Sequence, residues 1–116
     1  MDQARVVAAV EKGLFIDGKW VDATGGRTFD VVNPATGQTL CAVADASPED
    51  GRAALDAAVA AQPAFVAMSP RERADILTRA FELLHERVDD LALLMTLEMG
   101  KPLAEARGEI AYAAEF

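Results

Sequence analysis

The joint at Gly100-Lys101-Pro102 constrains this chain more than any other feature. It lies within residues 96–116, TLEMGKPLAEARGEIAYAAEF. Leu97, Glu98 and Met99 close one amphipathic segment, and Gly100 falls where a left-handed C-cap glycine belongs. Lys101 follows, placed to cap the preceding carbonyls, and Pro102 fits the first turn of a next helix, where a missing N–H costs nothing. Leu103, Ala106, Ile110, Ala113 or Ala114 and Phe116 then recur at three-to-four spacing, with no stop signal before the last residue. A stripe that runs into the chain end on an aromatic reads as the first part of something longer.

Two helices meeting at such a joint need a partner surface, and the composition limits what this chain can supply. Its 116 residues suffice for one domain and are too few for two. Hydrophobic residues make up 52% but aromatics only 6%, so the interior is alanine-rich, with few large anchors. The net charge of -8 opposes nucleic acid and anionic membrane as partners. The longest strongly apolar window, residues 91–97, is far short of the roughly 20 residues of a membrane span. There is no basic stretch leading into an apolar run at the start, and the single cysteine cannot form an internal disulfide. A soluble, cytoplasmic chain is the expectation.

Taken from the start, residues 1–12 carry weak helical character and no evident cap, and read as a loosely held arm. In GLFIDGKWV (13–21) the Asp17-Gly18 pair between two apolar runs is a type I′ hairpin signal, because both central residues need positive φ. ATGG (23–26) is a second turn. TFDVVN (28–33) and TLCAVA (39–44) read as strands around the Pro34-Ala35-Thr36-Gly37 reversal, where Asn33 can bond the turn backbone. Residues 13–45 are thus expected to form a small antiparallel β-meander.

The pattern changes at Ser47. Ser47-Pro48-Glu49-Asp50 starts a helix with a capping hydroxyl, a proline at the first position and carboxylates at the positive dipole end. Leu55, Ala58, Val59 and Gln62 share a face until Pro63, which is expected to end the helix. Ser69-Pro70-Arg71-Glu72 repeats the start. Behind it Ile76, Leu77, Ala80, Phe81, Leu84 and Val88 form an apolar stripe expected to be core. Asp89-Asp90 marks a further helix start, carried by Leu91, Leu94, Met95 and Leu97 to Gly100. Residues 47–116 are therefore helical, and the fold class is α+β.

Five segments resemble the N-terminal region of the aldehyde dehydrogenase superfamily: LFIDGKWV (14–21), FDVVNPATGQTL (29–40), SPED, SPRERADIL (69–77) and TLEMGKPLAEARGEI (96–110). Their order and spacing match too, and LEMGKPLAEARGE is most similar to the succinate-semialdehyde dehydrogenase branch. The resemblance implies an NAD- or NADP-dependent oxidation of an aldehyde, succinate semialdehyde in this branch, by a homo-oligomeric enzyme. In that chemistry a cysteine thiolate attacks the carbonyl, hydride passes to the nicotinamide, and a glutamate activates water against the thioester. Those residues, the oxyanion-stabilising asparagine and the dinucleotide turn all fall beyond residue 116 in the family pattern. Residues 13–116 then correspond to the incomplete edge of a Rossmann-type α/β coenzyme domain, one that neither catalyses nor binds coenzyme alone. The resemblance also implies a monovalent-cation site, using the Val31 main-chain carbonyl and the Glu98 carboxylate; relatives often carry aspartate where this chain has Glu98.

The remaining chemistry-bearing residues have plainer readings. Cys41 sits mid-strand with no histidine near it in sequence, as a small buried hydrophobe does. His85 has no second histidine or cysteine at ligand spacing and reads as a solvated or hydrogen-bonded helix residue. Glu105 and Glu109 share a helix face with nothing to desolvate them. Turns account for Gly13, Gly18, Gly25, Gly26 and Gly37, and none builds a G-x-G-x-x-G phosphate cradle. Two other readings compete with the dehydrogenase piece: a free-standing interaction module, and a subunit that complements a separately encoded catalytic half.

Overall fold

The structure is a computed structural model and describes residues 2–116. Helix α1 (Gln3–Ala9) opens the chain, followed by strands β1 (Leu14–Ile16), β2 (Lys19–Val21), β3 (Thr28–Val32) and β4 (Thr39–Ala44). Four helices complete it: α2 (Pro48–Ala67), α3 (Pro70–Glu86), α4 (Val88–Met99) and α5 (Leu103–Ala114). The α+β class is as expected. The meander is not, because the strands form two separate two-stranded sheets, β1–β2 and β3–β4. Between them runs a backbone bond from Ala44 N–H to the Lys12 carbonyl, 2.8 Å. The Ala23–Gly26 turn, with positive φ at Gly25 and Gly26, sends β3 away from β2 and breaks the ladder.

The first hairpin turns at Asp17 and Gly18, with φ of 51° and 73°, the both-positive pair that a type I′ turn requires. Phe15 and Trp20 pair directly across it, ring centroids 5.1 Å apart. In the second hairpin the register slips between Val31 and Val32, so Val31 faces Cys41 while Val32 faces Thr39.

Over the described residues 2–12 the expected loose arm is instead a capped, docked helix; position 1 of that expectation lies outside the described residues. Asp2 accepts a bond from Arg5 N–H at 3.0 Å and caps α1, and Val6 packs into the core with Leu93 and Leu97 of α4. The Arg5 guanidinium grips both Asp90 carboxylate oxygens, at 2.5 and 3.0 Å. That pair is exposed and contributes little; burial of Val6, 4% exposed, is what docks the helix.

The core lies between α4 and α5. Ala92 and Ala106 are fully buried, and Leu93, Leu97, Ile110 and Ala114 nearly so. Small residues at the crossing bring the two backbones together, and the α5 stripe is the one expected, with Ala114 rather than Ala113 facing inward. The stripe on α3 behaves otherwise. Ile76, Leu77 and Phe81 are exposed, and α3 has no buried residue. Pro63 does not end α2 either; the helix runs on to Ala67. Its missing N–H orphans the Val59 carbonyl, but this stretch of α2 is exposed and water can take that bond.

Both Ser-Pro starts carry complete capping boxes, Ser47 with Asp50 and Ser69 with Glu72. Asp50 does more than cap. Its carboxylate accepts bonds from Ser47 N–H (2.8 Å), Thr24 N–H (3.0 Å) and the Thr24 hydroxyl (2.7 Å), tying the start of α2 to the turn after β2. The Ser47 amide first, then the Thr24 hydroxyl and amide, hold its acid form down to a pKa of about 2. A carboxylate depressed in the folded state stabilises above its unfolded pKa and loses that contribution as pH falls through the folded one. Asp50→Asn should therefore lower the melting temperature by several degrees at neutral pH and flatten its acid dependence between about pH 4 and 2. A variant melting with the parent's acid slope would remove the clamp.

Candidate functional site

Two turns that are distant in sequence meet here. One is the β3–β4 reversal. Asn33 Oδ1 accepts Ala35 N–H at 2.9 Å, the Asn33 carbonyl accepts Gly37 N–H at 2.8 Å, and Gly37 takes the left-handed conformation. The other is the joint between α4 and α5. Gly100 has φ 78° and donates its N–H to the Thr96 carbonyl at 2.9 Å, the C-cap expected of it. A Cβ built on Gly100 would stand 3.1 Å from Pro34 Cγ. Glycine is thus favoured by its own φ, and any Cβ there would press closely on Pro34.

Gly100→Val should accordingly destabilise more than Gly100→Asn, by about 1 kcal/mol or more, since asparagine tolerates the left-handed region and a β-branched residue does not. Both should fall below the parent, because neither side chain adopts φ 78° as readily as glycine does. Equal melting shifts for the two variants would contradict the cap.

The neighbours of this contact differ in part from the sequence reading. Pro102 is the N-cap of α5, with ψ 138° and its carbonyl accepting Ala106 N–H, and not the first helical residue. Lys101 does not cap α4; it reaches along α5 to pair with Glu109. Glu105 and Glu98 are exposed, and Val31 is half-buried at the register slip. The Thr96 hydroxyl, one turn before Gly100, is buried without a partner. The Gly100–Pro34 contact thus joins the two segments that carry Val31 and Glu98. Among the described residues, no three His, Cys, Asp or Glu side chains gather into a metal-holding group.

The other candidates stay apart from this contact. Cys41 is half-buried in β4, at a depression of about 490 Å³ that Val7, Lys12 and Leu40 also line. The Lys12 ammonium there donates to the Val7 and Val10 carbonyls and closes the end of α1. His85 lies on α3, its Nδ1 donating to the Phe81 carbonyl at 3.0 Å and its ring against Phe81. Neither has the surroundings of an activated nucleophile or base.

The hairpins, the Gly100 joint and the helix order together coincide with a known family. The chain matches the aldehyde dehydrogenase family over residues 20–116. It belongs to that family. The NADP(+)-dependent succinate-semialdehyde dehydrogenase of Escherichia coli K12 is 54% identical over 101 residues, covering 87% of this chain and 21% of that protein. A glutarate-semialdehyde dehydrogenase of Pseudomonas aeruginosa is 53% identical over 102 residues, again 21% of its length. A crystal structure of an E. coli NADP-dependent enzyme superposes with TM-score 0.88 and 52% identity, over 90% of this chain and 22% of that one. The chain spans about a fifth of the length of the relatives it matches.

Proposed function

We propose that this chain supplies the N-terminal edge of the coenzyme-binding domain of an aldehyde dehydrogenase that oxidises succinate semialdehyde, or its one-carbon-longer homologue, to the dicarboxylate. The observation that carries this is the identity above 50% to enzymes named for these two substrates, over the same hundred or so residues. NAD+ or NADP+, when bound, accepts the hydride. The residues of this chain hold scaffold: Gly100 against Pro34 fixes the joint of α4 and α5 to the second hairpin. On the same reading the Val31 carbonyl and the Glu98 carboxylate offer a monovalent cation one neutral and one anionic oxygen. The donor set suits a hard, singly charged ion, and the Gly100–Pro34 contact supports it by linking the two segments. The reading places the enzyme in the cytoplasm as a homo-oligomer.

Two experiments test it. The chain alone, given succinate semialdehyde and either coenzyme, should yield no reduced coenzyme. Turnover abolished by Cys41→Ala would instead make that thiol the nucleophile. Conversely, grafting residues 13–116 in place of the matching segment of the E. coli relative should preserve oxidation of succinate semialdehyde. A soluble, folded graft without that activity would overturn the assignment.

A further inference from the structure

The chain holds two Asp-Gly pairs, Asp17-Gly18 and Asp50-Gly51. Such a pair carries its own intramolecular chemistry: the glycine amide nitrogen can attack the aspartate carboxyl carbon, with no Cβ on the glycine to hinder it. The fold treats the two pairs in opposite ways. Asp50-Gly51 lies in the first turn of α2, where the Gly51 N–H, the nucleophile, donates to the Ser47 carbonyl at 3.1 Å. The Asp50 carboxylate is buried under its bonds from Ser47 and Thr24. Those bonds hold its pKa at about 2, so the acid form that can release water is scarce at neutral pH. Asp17-Gly18 has no such protection. Both residues are exposed, and among the described residues nothing bonds the Gly18 N–H or the Asp17 carboxylate. Ring closure rotates the Asp17–Gly18 peptide out of its turn conformation, so the hairpin must first relax. It has three residues a side, in a sheet separate from β3–β4. Two-stranded hairpins of this size are marginal and open locally at little cost.

We propose that Asp17-Gly18 is a modification site, isomerising spontaneously to isoaspartate while the fold protects Asp50-Gly51, and that the product disrupts the first hairpin. In the first step a bond forms between Gly18 N and Asp17 Cγ. The amide proton is lost and the carboxyl hydroxyl departs, together one water, leaving a five-membered succinimide. Water then adds to one of the two ring carbonyls and breaks its bond to Gly18 N. Cleavage at Cγ restores aspartate. Cleavage at the main-chain carbonyl leaves the chain running through Cβ and frees an α-carboxylate. One water leaves and one returns, so the mass is unchanged and nothing is oxidised or reduced. The main chain is then one atom longer inside a two-residue loop whose geometry sets the strand register. The pairing of Phe15 with Trp20, ring centroids 5.1 Å apart, depends on that register.

The test incubates the full chain at neutral pH and physiological temperature, then digests it with trypsin. Cleavage after Lys12 and Lys19 releases residues 13–19, and cleavage after Arg27 and Arg52 releases residues 28–52, so the two pairs fall in separate peptides. Isoaspartate appears as a peptide of equal mass and different retention. It is confirmed with a purified isoaspartyl O-methyltransferase, which passes a methyl group from the sulfonium of S-adenosylmethionine to the new α-carboxylate. In the folded chain, peptide 13–19 should isomerise about tenfold or more faster than 28–52, and denaturant should bring the two within about twofold. Emission from Trp20, the single tryptophan, should change in step with isoaspartate in peptide 13–19. Asp17→Glu, whose extra methylene disfavours the ring, should abolish the modification there and hold the emission steady. Thr24→Val, which removes one of the bonds on Asp50, should speed isomerisation in 28–52 several-fold and leave 13–19 unchanged. Equal rates in the folded chain, a faster 28–52, or an unmodified 13–19 while the denatured chain reacts would each overturn the proposal. Isomerisation with unchanged Trp20 emission would overturn its effect on the hairpin.

Discussion

Leu97→Ala should leave the isolated chain largely unfolded at room temperature, whereas Leu77→Ala should leave its melting curve almost unmoved. Both delete the same atoms from a helical leucine. Leu97 is 4% exposed and packs with Val6 and Leu93 in a cluster that joins the N-terminal helix to α4. Leu77 is 63% exposed. Truncating a buried leucine costs about 2–5 kcal/mol, through lost transfer energy and the cavity left behind. Ordinary domains hold only about 5–15 kcal/mol in all, and a chain whose α3 has no buried residue belongs at the low end. An exposed substitution usually stays within about 0.5 kcal/mol. The comparison is read by far-ultraviolet circular dichroism against temperature. Equal shifts would mean that the α4–α5 core does not carry the fold, or that α3 is buried in solution.

Much of the local structure was legible because it depends on few residues. Asp17-Gly18 has little alternative to its hairpin, and Ser-Pro-x-Asp/Glu specifies a helix start through four consecutive positions. Gly100 before Lys101-Pro102 specifies a left-handed cap. What failed depended on partners. Pro63 looked terminal because an interior proline normally loses a buried bond, and here the orphaned carbonyl faces water. The 76–88 stripe looked like core because periodicity reports that a face is apolar, not that this chain supplies its cover. Residues 1–12 looked loose because Asp2 and Val6 are weak signals until Leu93 and Leu97 are placed opposite them.

The candidate site was legible in its components and not in its assembly. The Asn-Pro and Gly-Lys-Pro turns were each visible, while the contact of Gly100 with Pro34 spans 66 residues and no local rule announces it. The Asp50 clamp was half visible: its place at the third position of the helix predicts the bond to Ser47, and nothing in the sequence predicts Thr24.

The isolated chain should bind a hydrophobic dye strongly in its folded, monomeric state and should associate as salt is raised. Among the described residues sixteen large hydrophobics are exposed, including Leu55, Val59 and Val66 on α2 and Ile76, Leu77 and Phe81 on α3, apolar surface of the kind that monomeric proteins seldom leave open when it is contiguous. Burying each such side chain is worth roughly 1.5–3 kcal/mol, so three or four together rival the stability of the domain. Opposing this at low ionic strength is the net charge of -8 on every copy. Screening shortens from about 30 Å at 0.01 M salt to about 3 Å at 1 M, which removes the repulsion and leaves the apolar attraction. Gel filtration across that range should therefore show monomer giving way to oligomer, with broad rather than sharp calorimetric unfolding of the monomer. Val59→Asp with Leu77→Asp should weaken both dye binding and association. A sharp transition without dye binding, at any salt, would identify a self-sufficient domain and favour the free-standing interaction module over the dehydrogenase piece.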